Sequence, residues 1–261
     1  MPIVLYFSSH EAEAITPHLR QLFAEADIVL IEQAFRDEDG LTLNLVNELS
    51  RGNLLPEDVS KIGSGVGVQF VDFSRGLGSM IFRSGKQIML ENSPFDVTDA
   101  VAYDGLVRQE FRNVPVRIAC TQLTENLRKR AGYDKKRDEA LVEQLRDLTN
   151  LNPNAHILII RGRGHRNYLE KTLAVNRIHA TSLTAQETMV STLTDEVMQK
   201  IIADERPTRM ELLRSLVELS EIETIFTHPT QANIRVLRAR ISGMNERQCE
   251  KFLRKKLNLT S

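Results

Sequence analysis

"IVLYFSSHEAEAITPHLRQLFAEADIVLIE" (Ile3–Glu32) decides the fold. Its opening, Ile3–Phe7, is a continuous apolar, β-prone run, the pattern of a strand covered on both faces. Thr16 and Pro17 supply an N-cap and a first helical residue. Ile15, Leu19, Leu22, Phe23 and Ala26 recur around them at helical spacing. "DIVLIE" (Asp27–Glu32) is a second buried strand. Strand, helix and strand in so short a span make a βαβ unit, which the twist of strands holds to a right-handed, parallel crossover.

Further strands are predicted at "KQIMLENSP" (Lys86–Pro94), ending at Glu91, and at "VPVRIAC" (Val114–Cys120). "HILII" (His156–Ile160) and "NRIHATSL" (Asn176–Leu183) complete the set. Helical patterns fill the intervals: Leu41–Gly52, closed by its glycine, a short helix at Pro56, and a charged stretch from Thr121 to Leu148. Beyond Thr184 the chain reads as mostly helical, with breaks at Pro207 and near "THPTQAN" (Thr227–Asn233). The alternation predicts an α/β fold, with a mostly parallel central sheet flanked by helices on both faces and a helical C-terminal appendage. The expected boundary separates an α/β core, 1–206, from the appendage, 207–261.

A chain of 261 residues, 41% hydrophobic and 26% charged, has an ordinary globular composition. A net charge of -1 gives no global basic field, so nucleic acid is not an expected partner. The two cysteines, Cys120 and Cys249, form no CxxC pair, which fits a reduced compartment. No apolar run approaches the roughly 20 residues that span a bilayer. The start turns polar after Phe7 and lacks a basic leader, so a cytoplasmic protein with no membrane partner is expected.

Ligands of open α/β sheets bind outside the carboxyl ends of the strands. His10 follows the first strand, Glu32 closes the second, Glu91 closes the third, and His165 follows "HILII". Two imidazoles and two carboxylates on one rim are a donor set for manganese, cobalt, zinc or iron, with a coordination position left for water. Taken singly, each reads as a polar residue where the chain surfaces. After "HILII" comes "RGRGHRNYLEKTL" (Arg161–Leu173). Gly162 and Gly164 permit backbone angles closed to other residues. Arg161, Arg163 and Arg166, beside the N-terminus of a helix starting near Asn167, suit an anionic or carbonyl-bearing substrate. "GSGVGVQ" (Gly63–Gln69) lacks both the preceding strand and the spacing of a dinucleotide loop. It reads as a glycine-rich loop or a lid.

These motifs resemble the superfamily of Tiki-type metalloproteases, TraB-like proteins, erythromycin esterases and ChaN-like haem-binding proteins. "GRGH" (Gly162–His165) is similar to its second G-x-x-H motif, and "ADIVLIE" (Ala26–Glu32) to the segment ending in its Glu. "KRDEALVEQL" (Lys136–Leu145) resembles its Arg-bearing helix, with Arg137 as the matching residue. The first motif departs: "FSSH" (Phe7–His10) has Phe7 where the family has glycine. That change implies a site partly closed, with catalysis altered or lost.

Two functions are carried forward. The first is a metal-dependent hydrolase of peptide or ester bonds. Its metal ligands are His10, His165 and Glu32, its catalytic residues are Glu32, Glu91 and Arg137, and its substrate is gripped by Arg161, Gly162, Arg163, Gly164 and Arg166. The second is a non-catalytic regulatory protein that holds an anionic small molecule on the same rim, its C-terminal helices signalling to a partner or a second copy of the chain.

Overall fold

The computed structural model describes residues 3–8, 14–33, 36, 40–58, 71–96, 98–99, 114–185, 192–225 and 231–257. They form two compact units, one of residues 1–100 with 136–187, the other of 101–135 with 188–261. The boundary expected from the sequence lay at 206/207.

The first unit contains β1 (Ile3–Ser8), α1 (Pro17–Glu25), β2 (Ile28–Ile31), α2 (Leu41–Arg51), α3 (Val71–Ile81) and β3 (Gln87–Leu90). After these come α4 (Val116–Leu151), which belongs to this unit from Lys136 onward, and β4 (Ile157–Gly162). A 3-10 turn (Arg163–His165), α5 (Arg166–Val175) and β5 (Ala180–Thr184) complete it. All pairings are parallel, and the strand order is β3-β2-β4-β1-β5. The expected α/β architecture is present.

Alternation along each strand builds two apolar layers. Tyr6, Val29, Ile88, Leu158 and Ile160 pack against Leu19 and Phe23 of α1, Val46 and Leu49 of α2, and Leu77 and Ile81 of α3. Ile3, Leu5, Phe7, Ile28, Leu30, Ile157 and Ile159 face Leu141, Val142, Leu145 and Leu148 of α4, with Leu169 and Leu173 of α5. The continuous apolar runs follow from this: both faces are covered, so a polar residue on either is costly unless it finds a partner.

One predicted strand is a helix. Val114–Cys120 leads into α4, whose first turn closes with the Ala119 N–H donating to the Pro115 carbonyl at 3.0 Å. Val116, Ala119, Cys120 and Leu123 are buried at three- and four-residue spacing, which outweighs the β preference of Val116 and Ile118. Beyond Gly63–Gln69, which lies outside the described residues, Val71–Ile81 forms the helix α3, with Gly76 and Gly78 inside it.

The second unit holds α6 (Leu193–Ile202), α7 (Arg209–Ile225), α8 (Gln231–Ser242) and α9 (Glu246–Leu257). The helix α7 packs against the other three, and Leu213, Leu216 and Val217 on it are fully buried. A capping box at Thr192 and Asp195 starts α6. Among the described residues no helix is long and apolar enough to cross a membrane.

Two predictions test this packing. Gly52 ends α2 at φ 81°, and a Cβ there would lie 2.6 Å from Arg83 Cγ. Gly52→Ala should therefore cost about 1–2 kcal/mol in chemical denaturation. On α7, Glu218 is fully buried and accepts the Thr194 N–H at 3.1 Å. Burial pushes its carboxyl up to about 7, from 4.5, although the backbone N–H groups of Leu193 and Thr194 favour ionisation. The folded state then holds this proton more tightly than the unfolded chain, so its contribution to stability falls as pH rises from about 4.5 to about 7. Glu218→Gln should melt higher than the parent at about pH 8, and the gap should close below about pH 4.

Candidate functional site

The register of the sheet assembles the site. Ile31 of β2 lies level with Leu90 of β3 and with Ile160 of β4. One residue on, Glu32, Glu91 and Arg161 therefore stand in a row at the carboxyl edge. The ladder continues through them: the Glu32 N–H donates to the Ile160 carbonyl at 3.1 Å, and the Glu91 N–H to the Ile31 carbonyl at 2.9 Å. By the same alternation all three share a face with Ile28, Leu30, Ile157 and Ile159, the face covered by α4. That helix brings Arg137 and Asp138 on the turn before its buried Leu141 and Leu145.

Arg161 is the centre of the network and is fully buried. Its Nη2 lies 2.6 Å from Asp138 Oδ1. Its Nη1 lies 2.7 Å from Glu91 Oε1, an ion pair without the angle of a hydrogen bond. Asp138 Oδ1 also sits 2.9 Å from His165 Nδ1. Sharing that acceptor brings Arg161 Nη2 within 3.2 Å of His165 Nδ1. Outward of this layer, Arg137 Nη2 donates to Glu32 Oε1 at 2.7 Å and lies 3.7 Å from Glu91 Oε2. The other Glu32 oxygen accepts the Gly162 N–H at 2.5 Å. His165 Nε2 faces Glu32 Oε1 at 3.4 Å.

Exposure divides the network in two. The side chains of Arg161, Asp138 and Glu91 are at most 2% exposed, whereas Arg137, His165 and Glu32 retain 8%, 9% and 15%. The first three form the sealed interior of the network, and the last three its less buried edge. Burial and the Arg161 charge both oppose protonation of His165, yet Asp138 and Glu32 outweigh them and the imidazole is pushed up to about 9. With His165 protonated, three cations balance three carboxylates. Burial pushes the Glu91 carboxyl above its ordinary range, and Arg161 and Arg137 pull only part of that back.

Of the residues expected on the rim, Glu32, Glu91, Arg137, Arg161 and His165 converge, and His10 lies outside the described residues. Arg161, expected to grip substrate, is turned inward onto carboxylates. Arg166 pairs with Glu170 at 2.9 Å and donates to Thr184 Oγ1 at 2.7 Å. Arg163 is half-buried and Gly164 exposed in the 3-10 turn. Gly162 has φ -62° and ψ 138°, open to any residue, and Gly164 is not among the glycines of positive φ. Gly162 instead contributes its N–H to Glu32. Phe7 is fully buried, level with Arg161 in the ladder, and packs in the layer under α4 and α5.

Asp138 is the member that sequence reasoning missed. Its signal was an acidic residue in register with Leu141, Val142 and Leu145 on an apolar helix stripe, where an unpaired carboxylate is costly.

The fit to a divalent metal is incomplete among the described residues. No group of three or more His, Cys, Asp or Glu side chains there is arranged to hold one. Glu32 and Glu91 each face an arginine cation, and His165 Nε2 with Glu32 Oε1 makes only two donors, where protein metal centres use three or more. No family model, curated protein or solved structure matches the chain.

Removing Arg161 would leave Glu91 and Asp138 buried without their cation. Arg161→Ala should lower unfolding free energy by about 3–5 kcal/mol in urea titration. Asp138→Asn should lower the His165 pKa, read by NMR titration of the imidazole, because Asp138 favours the protonated ring.

Proposed function

We propose that the chain is a hydrolase of peptide or ester bonds, working at the less buried edge of the network made by Glu32, Arg137 and His165. The observation that carries this reading is their convergence. A guanidinium from a helix and an imidazole from a 3-10 turn lie 2.7 and 3.4 Å from one carboxylate oxygen at a strand end, outside the carboxyl ends of parallel strands.

In the proposed reaction, Glu32 takes a proton from water as the oxygen attacks the carbonyl carbon. Arg137 balances the negative charge that develops on the carbonyl oxygen. The protonated His165, held in orientation by Asp138, passes its Nε2 proton to the leaving oxygen or nitrogen. Glu32 then returns its proton to His165 across the 3.4 Å that separates them. Because the imidazole must carry its proton, kcat should decline as pH rises through about 9. The resemblance of Gly162–His165 and Arg137 to the Tiki and TraB-like motifs supports the same reading. Its metal-dependent form requires His10 as a further ligand beside His165 and Glu32.

The test is a panel of esters and peptides assayed with and without chelator. His165→Ala and Glu32→Gln should each lower kcat by about a hundred- to ten-thousandfold in folded protein. Turnover indifferent to both substitutions would overturn the proposal. Elemental analysis of protein purified without chelator, beside the His10→Ala/His165→Ala double variant, decides the metal-dependent form. Near-stoichiometric manganese, cobalt, zinc or iron that disappears in the variant would establish it.

The anion-holding regulatory reading gains no comparable support. Of its three loop cations, Arg161 and Arg166 are engaged with Glu91, Asp138 and Glu170, and Arg163 is half-buried in the 3-10 turn.

A further inference from the structure

A cavity of about 340 Å³ lies beside the edge strand β3, with Glu91 in its wall. It is small among ligand pockets, which run about 300–1,000 Å³, so it suits one chemical group rather than a whole large ligand. Leu43 of α2, Met89 of β3, and Leu148 and Leu151 of α4 give it apolar walls. We propose that this cavity receives an aliphatic group of the substrate, an acyl chain or a leucine-like side chain, and so sets specificity. The proposal rests on the hydrolase reading above and deepens it.

Three observations select an uncharged aliphatic occupant. The first concerns Glu91, the one network residue in the cavity wall. Its carboxylate is turned onto Arg161 and Arg137, so its charge is not offered to a ligand. Arg36 and Asp147, the remaining charged residues of the lining, are opposite in sign and favour neither anion nor cation. The third is the state of the strand edge. Gln144 donates from Nε2 to the Leu90 carbonyl at 3.0 Å and accepts the Asn92 N–H at 2.9 Å. One side chain thus occupies the edge hydrogen-bonding positions nearest the site. A peptide laid along β3 as an added strand would have to displace it. A group entering between the helices would not.

Position fits the role as well. Glu91 is in the cavity wall, and its Oε2 lies 3.7 Å from Arg137 Nη2. An aliphatic group seated here would therefore lie against Glu91, the residue through which the cavity adjoins Arg137. The apolar walls contribute in proportion to the methylenes they cover.

The experiment reads binding without turnover. The full chain is titrated with n-alkanols from propanol to octanol while the methyl resonances of Met89 and Leu148 are followed by NMR. Affinity should rise about fourfold per added methylene until the cavity is full, then level off. Leu43→Trp, which fills the cavity from α2, should abolish that dependence. Leu151→Trp, at a position 78% exposed and therefore tolerant of replacement, should weaken it with the fold intact. Tighter binding of n-pentanol than of isopentanol would assign an acyl chain, and the reverse a branched side chain. Non-saturating shifts, shifts confined to other methyls, or the same chain-length dependence in both variants would overturn the proposal. Such a failure leaves the hydrolase reading standing, since no substrate is turned over. Failure of the ester and peptide panel alongside intact alkanol binding would instead sink the hydrolase reading alone.

Discussion

Arg161 carries a full positive charge to a position with no solvent exposure, in the layer beneath α4. A buried guanidinium is tolerated only where carboxylates meet it, and Glu91 and Asp138 do so at 2.7 and 2.6 Å. Those partners come from an edge strand and from a helix 23 residues upstream of Arg161 in the chain. The ion pairs therefore tie β3, β4 and α4 to one another at the sheet's carboxyl edge. A replacement by apolar residues could pack as stably, so what the charge secures is position: β3 cannot slip in register without stranding an ion.

The same arrangement fixes the outer residues. Asp138 accepts from both Arg161 and His165, which leaves the Nε2 side of the imidazole turned toward Glu32. Glu32 is held from two directions, by Arg137 at one oxygen and by the Gly162 N–H at the other. In the proposed hydrolysis a carboxylate so fixed would need no reorientation, which is where much of the electrostatic contribution to catalysis originates. The arginines also change what the acidic residues mean. A rim of carboxylates and imidazoles reads in sequence as a metal set, but each carboxylate here already has a cation within ion-pair distance.

Much of the fold was legible because burial on both faces leaves a strong imprint. Ile3–Phe7, Ile28–Ile31 and Ile157–Ile160 are unbroken apolar runs, and each lies within a strand. The Val114–Cys120 segment misled because a short run of β-branched residues also fits a helix stripe, and only the partners of Val116, Ala119 and Cys120 decide between the two. In the loop after β4 the glycines suggested unusual backbone angles, yet Gly162 is extended and its role lies in one N–H.

Sequence by itself determined that Glu32, Glu91 and Arg161 fall at strand ends, because each directly follows an apolar run that cannot continue through a charge. It also determined that Arg137 and Asp138 lie on a helix. Tertiary structure alone decided that these residues meet. Strand order places β2 between β3 and β4, the parallel register aligns Ile31, Leu90 and Ile160, and alternation turns the next side chains toward α4. Order and register arise from contacts between segments far apart in the chain, and local spacing holds no record of which segment becomes whose neighbour. For the same reason Arg161 read as a cation facing substrate. Whether a charge faces solvent or a buried carboxylate depends on what the rest of the chain lays over it.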